Sequence, residues 1–112
     1  MRAETLKGHL DALLLASLEG GPLHGYAIID GLRQGSGGTF DLPTGTVYPA
    51  LHRLERGGLI AGTWDEPGGR RRRTYQLTRA GRDALSAERA TWTEFSTAVT
   101  GLLGGNTWHA TT

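Results

Sequence analysis

Four consecutive arginines, Arg70 to Arg73, are the residues of this sequence whose type and spacing most directly indicate chemistry. A guanidinium group is always charged and donates paired hydrogen bonds that match the oxygens of a phosphate. Residues 61 to 78 hold these four arginines against Asp65 and Glu66, and basic and acidic residues nearly balance elsewhere. The local excess favours a phosphate-bearing partner, with a solvated charge run as the alternative.

A second candidate site is the segment LPTGTVYPALHRLERGGLI, residues 42 to 60, in which helix-breaking residues precede an amphipathic pattern. A helix start rich in small residues leaves backbone N–H groups accessible, and the positive end of the helix dipole attracts phosphate. Hydroxyl and basic side chains on the solvent side extend this surface. The candidate contacts are Thr44, Thr46 and Tyr48 for docking, and His52 and Arg53 for base edges or phosphates.

Hydrophobic periodicity predicts the helices that position these residues. Leucines at helical spacing indicate a first helix over about residues 4 to 19, and a second is expected over 24 to 34, with Tyr26 packing against the first. The third begins near Thr44, where Thr44 is a candidate cap, and ends at Gly57-Gly58. Because Pro49 lies just past the turn in which proline is harmless, we expect a distorted or late start near Thr46 or Val47.

The remaining pattern predicts a hairpin and a long terminal helix. Residues 59 to 64 and 73 to 77 read as two strands joined by the turn Glu66-Pro67-Gly68-Gly69, with Tyr75 and Leu77 on one face. Thr78 is positioned to cap a final helix that Gly104-Gly105 ends. Its apolar residues follow heptad spacing, which indicates a second copy of the same helix as their partner; they are Leu85, Trp92, Phe95, Val99 and Leu102.

Composition sets the limits of the interpretation. The chain has 112 residues, a mass of 12.0 kDa and 38% hydrophobic residues. A core of the size that this allows would gain stability from a partner subunit. There are no cysteines, no signal-peptide pattern, and no apolar run longer than ALLLASL, residues 12 to 18. A cytoplasmic protein without a membrane segment is the expectation.

These elements together form a mainly α architecture with a two-stranded β wing: a winged helix-turn-helix followed by a C-terminal dimerisation helix. We expect residues 1–78 to form the DNA-binding domain, 79–104 the dimerisation helix and 105–112 a disordered tail. In this architecture the third helix enters the major groove and the hairpin rests on the flanking backbone. Two alternative interpretations remain open. Tyr48 is then a core aromatic residue, and His52 is an ordinary surface residue. Lys7 is either a further backbone contact or a plain surface lysine.

The same residues resemble the successive signatures of PadR-type transcriptional regulators over about residues 6 to 85. The matching segments are Leu23 to Tyr26, Pro43 to Glu55, Gly58 to Ile60, and Gly69-Arg70 through Tyr75 to Gly81. The short C-terminal helix is similar to the small subfamily of that group. The resemblance implies a homodimeric DNA-binding repressor that a small-molecule effector releases. Thr44 and Thr74 depart from the residues common in the family, which weakens inference about the operator sequence.

Trp92 and Phe95 are most simply part of the dimer seam. Aromatic residues facing each other across a two-fold axis also form a flat apolar pocket suited to a planar aromatic effector. Multidrug-responsive members of the resembled family use a tryptophan on this helix in that way, so the resemblance implies an effector role for Trp92.

Three hypotheses follow from the sequence. The first is a dimeric repressor on a palindromic operator, and the second is a winged-helix adaptor that uses the same surface for protein contacts. The third is a small enzyme or ligand carrier. The four histidines are scattered and show no metal-ligand spacing or grouping with serine and aspartate, so we expect no catalytic site, metal or cofactor.

Overall fold

The computed structural model describes residue 6 and residues 8–104. Lys7 and the predicted tail, 105–112, lie outside this part of the chain. Four helices and a three-stranded antiparallel sheet make up the described fold. The elements in chain order are α1 (Leu10–Ser17), β1 (Leu23–His24), α2 (Gly25–Gly35), α3 (Thr44–Arg56), β2 (Ile60–Asp65), β3 (Arg72–Leu77) and α4 (Arg79–Leu103).

The core lies where α1, α2 and α3 meet the sheet and the start of α4. Fully buried side chains from all three helices and both long strands fill it, which confirms the expected mainly helical winged-helix architecture. Its largest members are Leu14, Leu15, Ile28, Val47, Leu51, Ile60 and Tyr75.

The first two helices differ in detail from the sequence prediction. The continuous helix expected over residues 4 to 19 is interrupted at Gly8, whose φ of 89° is a left-handed conformation that glycine adopts without steric cost. The expectation that Tyr26 packs against the first helix is wrong. Tyr26 is 66% exposed and its ring meets that of Tyr48 edge to face.

The third helix begins earlier than predicted. Pro43 is its N-cap residue and no side chain caps it, so the expected cap at Thr44 and the late start near Thr46 or Val47 are both wrong. The carbonyl of Pro43 accepts hydrogen bonds from the N–H groups of Thr46 and Val47, at 3.0 and 3.1 Å, and this fixes the first turn. Pro49 lies inside the helix.

The end of α3 is the one predicted. The backbone turns at Gly57-Gly58, with Gly58 at φ 78°. The N–H of Leu59 donates to the Leu54 carbonyl and that of Gly58 to the Glu55 carbonyl, each at 3.0 Å, which is the Schellman pattern. The turn sends the chain directly into β2.

The two predicted strands pair as β2 and β3, with Trp64 opposite Arg73 and Asp65 opposite Arg72. Tyr75 is buried and Leu77 half-buried on the face that covers the helices, as alternation predicted. The sheet gains a third strand that periodicity did not indicate, the two-residue β1, in which Leu23 pairs with Tyr75. This pairing ties the start of α2 to the base of the hairpin.

Thr78 caps α4 as expected. Its hydroxyl oxygen accepts from the N–H of Gly81 at 3.1 Å and donates to the Gly58 carbonyl at 2.6 Å. Arg89 donates to both carboxylate oxygens of Glu19, at 2.9 and 3.0 Å, and this hydrogen-bonded pairing holds the pKa of Glu19 below its usual value. The first half of α4 is therefore attached to the domain.

Candidate nucleic-acid interface

A groove of about 710 Å³ lies between the starts of α2 and α3 and the inner face of the hairpin. Tyrosine, histidine and arginine side chains supply most of its polar groups. The lining residues used below are Tyr26, Tyr48, His52, Glu55, Trp64, Arg71 and Arg73. The groove therefore brings residues of the second candidate segment together with the arginine run.

Tyr48 and His52 of α3 line the groove, and Thr44 and Thr46 precede them on the same helix. Thr44 and His52 are exposed, whereas Thr46 and Tyr48 are half-buried. The N–H groups of Thr44 and Gly45 precede the first hydrogen bonds of the helix and point along its positive end. This part of the surface is suited to an anionic oxygen.

Tyr48 has a mixed environment that reconciles the two sequence interpretations. Its ring lies against the backbone of Gly25 and meets the exposed ring of Tyr26, with ring centroids 6.4 Å apart. Burial, and then the neighbouring Tyr26, raise the pKa of Tyr48, so its hydroxyl stays protonated near neutral pH. It therefore combines a packing role with a hydroxyl group on the edge of the groove.

Arg53 is the candidate that the structure places elsewhere. Its guanidinium pairs with the carboxylate of Asp11 on α1. Together with Leu59 and Glu88 it lines a separate cavity of about 380 Å³ between α1, α3 and α4. Arg53 therefore does not share the groove with Tyr48 and His52.

The arginine run divides between the two faces of the hairpin. Arg71 and Arg73 lie against the indole of Trp64 on the inner face, with Cζ atoms 4.4 and 5.2 Å from the ring centroid. Arg72 is directed toward Asp65 instead, with its Nε 3.5 Å from a carboxylate oxygen. The alternation expected along the strand is therefore present.

Carboxylates compensate two of these four charges. The Arg73 guanidinium donates to Glu55 on α3, and Asp65 pairs with Arg72 and accepts a 3.0 Å hydrogen bond from Thr74. Within residues 8–104, no carboxylate lies within 4.0 Å of Arg70 or Arg71. Within the arginine run, the uncompensated positive charge is therefore that of Arg70 and Arg71, at the tip of the hairpin.

Sequence reasoning did not identify Trp64, Glu55 or Tyr26 as parts of this surface. The sequence does contain a signal for Trp64, which is a tryptophan two residues before the predicted turn with arginines beyond that turn. Glu55 and Tyr26 gave no such signal, because their roles depend on contacts between elements distant in sequence.

The apolar stripe of α4 falls into two parts. Leu85 is buried in the core of the chain itself and is therefore not part of an exposed interface. Farther along, Trp92, Phe95 and Leu102 are 54%, 56% and 66% exposed, and Val99 is half-buried. Trp92 meets both Phe95 and His9, with ring centroids 5.9 and 5.8 Å apart.

Two kinds of feature are absent from the described residues. No group of three or more histidine or acidic side chains is arranged to hold a metal ion in this part of the chain. Nor do its helices include one with the length and apolar character needed to cross a bilayer.

Comparison with known proteins gives a family match over residues 14–87, to the transcriptional regulator PadR-like family. A transcriptional regulator from Mycobacterium tuberculosis is 46% identical over 57 residues, which are 51% of this chain and 53% of that protein. The chain thus matches about half the length of that relative.

Solved structures show the same similarity. A PadR family transcriptional regulator from Eggerthella lenta is 33% identical, with a TM-score of 0.78 over 92% of this chain and 88% of that one. Bacillus subtilis PadR, in complex with operator DNA, is 26% identical with a TM-score of 0.65, covering 70% of this chain and 45% of that one.

Proposed function

This chain belongs to the PadR-like family of transcriptional regulators, and on that premise we propose that it binds double-stranded DNA through α3 and the β2–β3 hairpin. The observation that carries the proposal is the position of Arg71, which has no carboxylate partner in the described chain, in the same groove as Tyr48 and His52 of α3. Phosphate contacts from both elements would fix the orientation of the domain on the duplex.

In the proposed complex α3 enters the major groove. Thr44, Thr46 and Tyr48 dock on the backbone and His52 reaches base edges or a phosphate, while Arg70 and Arg71 contact the flanking strand. The operator-bound Bacillus subtilis protein supports this arrangement, because it shares the fold. Arg53 has a different role in the proposal, since its pair with Asp11 fixes α3 to α1.

The proposed active species is a homodimer formed through α4. Trp92, Phe95, Val99 and Leu102 supply an apolar surface on a helix whose buried residues are all in its first turns. A two-fold pairing of these helices would place the two copies of α3 about one DNA turn apart, roughly 34 to 36 Å, on a palindromic operator. Such a dimer would act as a repressor.

A planar aromatic effector is the proposed signal. Trp92 and Phe95 form a flat, half-exposed aromatic surface where two α4 helices would meet. A ligand stacked there would act by favouring one separation of the two α3 helices over another. The effector proposal fails if a planar compound that releases DNA leaves the fluorescence of Trp92 unchanged.

Equilibrium binding to duplex DNA at several salt concentrations tests the proposal. Neutralisation of roughly 4 to 8 phosphates predicts a slope of log affinity against log salt of about −0.9 per phosphate. The double variant Arg70→Ala/Arg71→Ala should bind more weakly with a shallower slope. The matched control Arg82→Ala removes an exposed arginine from α4, outside the groove, and should leave the slope unchanged.

Absence of salt-sensitive DNA binding by the wild-type chain would overturn the proposal and favour the adaptor hypothesis. Catalytic turnover, or tight ligand binding that DNA does not affect, would favour the enzyme or carrier hypothesis.

A further inference from the structure

Trp64 is exposed on the hairpin and yet has arginine neighbours. It lies on the inner face of β2, 55% exposed, directly opposite Arg73 in the sheet register. The Cζ of Arg71, from the loop beyond the opposite strand, is 4.4 Å from its ring centroid. The geometry is that of a cation–π contact, for which the indole is the strongest natural partner.

A second arginine, Arg73, also contacts the indole. Arg73 lies 5.2 Å from the same ring and pairs with Glu55 of α3. The guanidinium of Arg73 passes over Gly62, where an added Cβ would lie 2.7 Å from its Nε. A continuous set of contacts thus runs from α3 through Arg73 and Trp64 to Arg71.

We propose that Trp64 is a positioning residue that orients the Arg71 guanidinium for a backbone phosphate. This inference rests on the proposed DNA-binding function. It adds to that function a residue, Trp64, that is not one of the proposed phosphate contacts. A free arginine side chain loses most of its rotamer freedom when it binds, and this loss weakens binding. An arginine already stacked on an indole has lost part of that freedom beforehand, while its edge N–H groups remain available to an anion.

The alternative role for Trp64 is direct contact with DNA through its exposed surface. The observed arrangement favours positioning, because Arg71 occupies the neighbourhood of the ring and carries the charge that a phosphate requires. The two roles differ in one respect. A positioning residue matters only while Arg71 is present, whereas a direct contact matters in either background.

A double-mutant cycle tests the proposal with wild type, Trp64→Ala, Arg71→Ala and the combined variant, each titrated with the same duplex at several salt concentrations. Trp64→Ala should weaken binding about two- to fivefold, the fold-change of an exposed cation–π contact. In the Arg71→Ala background it should have no further effect on affinity or salt slope. Trp64→Phe should restore most of the affinity, and Thr63→Ala, an exposed neighbour on β2, should have no effect.

A second measurement uses the free protein and keeps the test independent of folding defects. Ring currents from the indole should shift the Arg71 Nε–H resonance, and Trp64→Ala should remove this shift while the amide spectrum of the helices is preserved. An Arg71 resonance that does not respond to Trp64→Ala would overturn the proposal.

The outcomes separate this inference from the function on which it rests. Wild-type binding with additive effects of Trp64→Ala and Arg71→Ala overturns the positioning role alone. Failure of the wild-type chain to bind any duplex overturns the proposed function and the positioning role together. Equal affinities of Trp64→Ala and wild type also overturn the positioning role.

Discussion

Gly25 of α2 and Tyr48 of α3 form a close contact between the two helices of the helix-turn-helix. Gly25 is buried, and a Cβ at this position would lie 2.5 Å from Cζ and 2.6 Å from Cε1 of the Tyr48 ring. Atoms at that separation overlap, so the ring reaches the groove only because residue 25 lacks a side chain. The requirement is steric, since the φ of Gly25 is not positive.

Gly25→Ala should therefore destabilise the domain by about 1–3 kcal/mol, the usual result of overpacking a fitted site. The matched control is Gly31→Ala in the same helix, where an added Cβ meets nothing within 4 Å. That change should be neutral or stabilising by about 0.5–1 kcal/mol, since alanine favours helix. Urea unfolding of both variants checks the pair, and equal effects would contradict the contact.

The pKa of Tyr48 provides a second prediction about a single residue. Burial raises it, so the fold favours the neutral phenol. The associated stability is fully present below the ordinary tyrosine pKa of 10.0 and is lost as pH rises through the higher folded value. In a phenolate absorbance titration, Tyr48→Phe should remove a component that ionises above pH 10. Removal of a component at or below pH 10 would contradict this environment.

The third helix shows what local sequence rules predict for an element and what they miss. Its existence and its Gly57-Gly58 end were predictable from spacing and from glycine. Its start was not. Pro49 lacks the donor that would bond the carbonyl of Gly45, but Gly45 is an exposed residue, where water can take the place of that donor. The cost of Pro49 is thus reduced, and the helix begins at Thr44.

Thr78 connects α4 to the turn that follows α3, because it caps α4 while its hydroxyl also donates to the carbonyl of Gly58. Thr78→Ala removes both hydrogen bonds and should lower the free energy of unfolding by about 1–2 kcal/mol. Thr78→Ser should restore most of it. Thr91→Ala, at an exposed position within α4, should stay within about 0.5 kcal/mol of wild type in the same denaturation experiment. Equal losses at positions 78 and 91 would contradict the cap.

The contacts of the candidate site were less predictable than its elements. The arginine run, the start of α3 and the strand alternation identified most of the groove. Three features required the structure: the pair of Arg53 with Asp11, the stack on Trp64 and the exposure of Tyr26. Each depends on how elements distant in sequence pack together, and periodicity along one element carries no such information.

For the whole molecule, the distal half of α4 carries an apolar surface that a single copy of the described chain leaves uncovered. Trp92, Phe95 and Leu102 each expose more than half of their surface. The heptad spacing predicted this stripe, but it assigned Leu85 to the stripe as well. Leu85 belongs to the core because α4 packs on the domain over its first turns before it extends outward.

The proposed dimer gives a direct prediction. Sedimentation of the wild-type chain should give about 24 kDa, twice the 12.0 kDa of one copy. Phe95→Glu places a charge in the proposed seam and should yield a folded monomer with weakened DNA binding. Thr97→Glu, about 200° around the helix from Phe95, is the control and should remain dimeric. A monomeric wild type, or a dimeric Phe95→Glu variant, would contradict the seam.

The most direct test of the central claim is enrichment of sheared genomic DNA from the source organism by the purified chain, followed by sequencing at low and moderate salt. Sequence-specific binding through α3 and the hairpin predicts enrichment of one inverted repeat with half-sites about one turn apart. Arg70→Ala/Arg71→Ala should lose that enrichment and Arg82→Ala should retain it. Failure of the wild-type chain to enrich any sequence at either salt concentration would contradict the account.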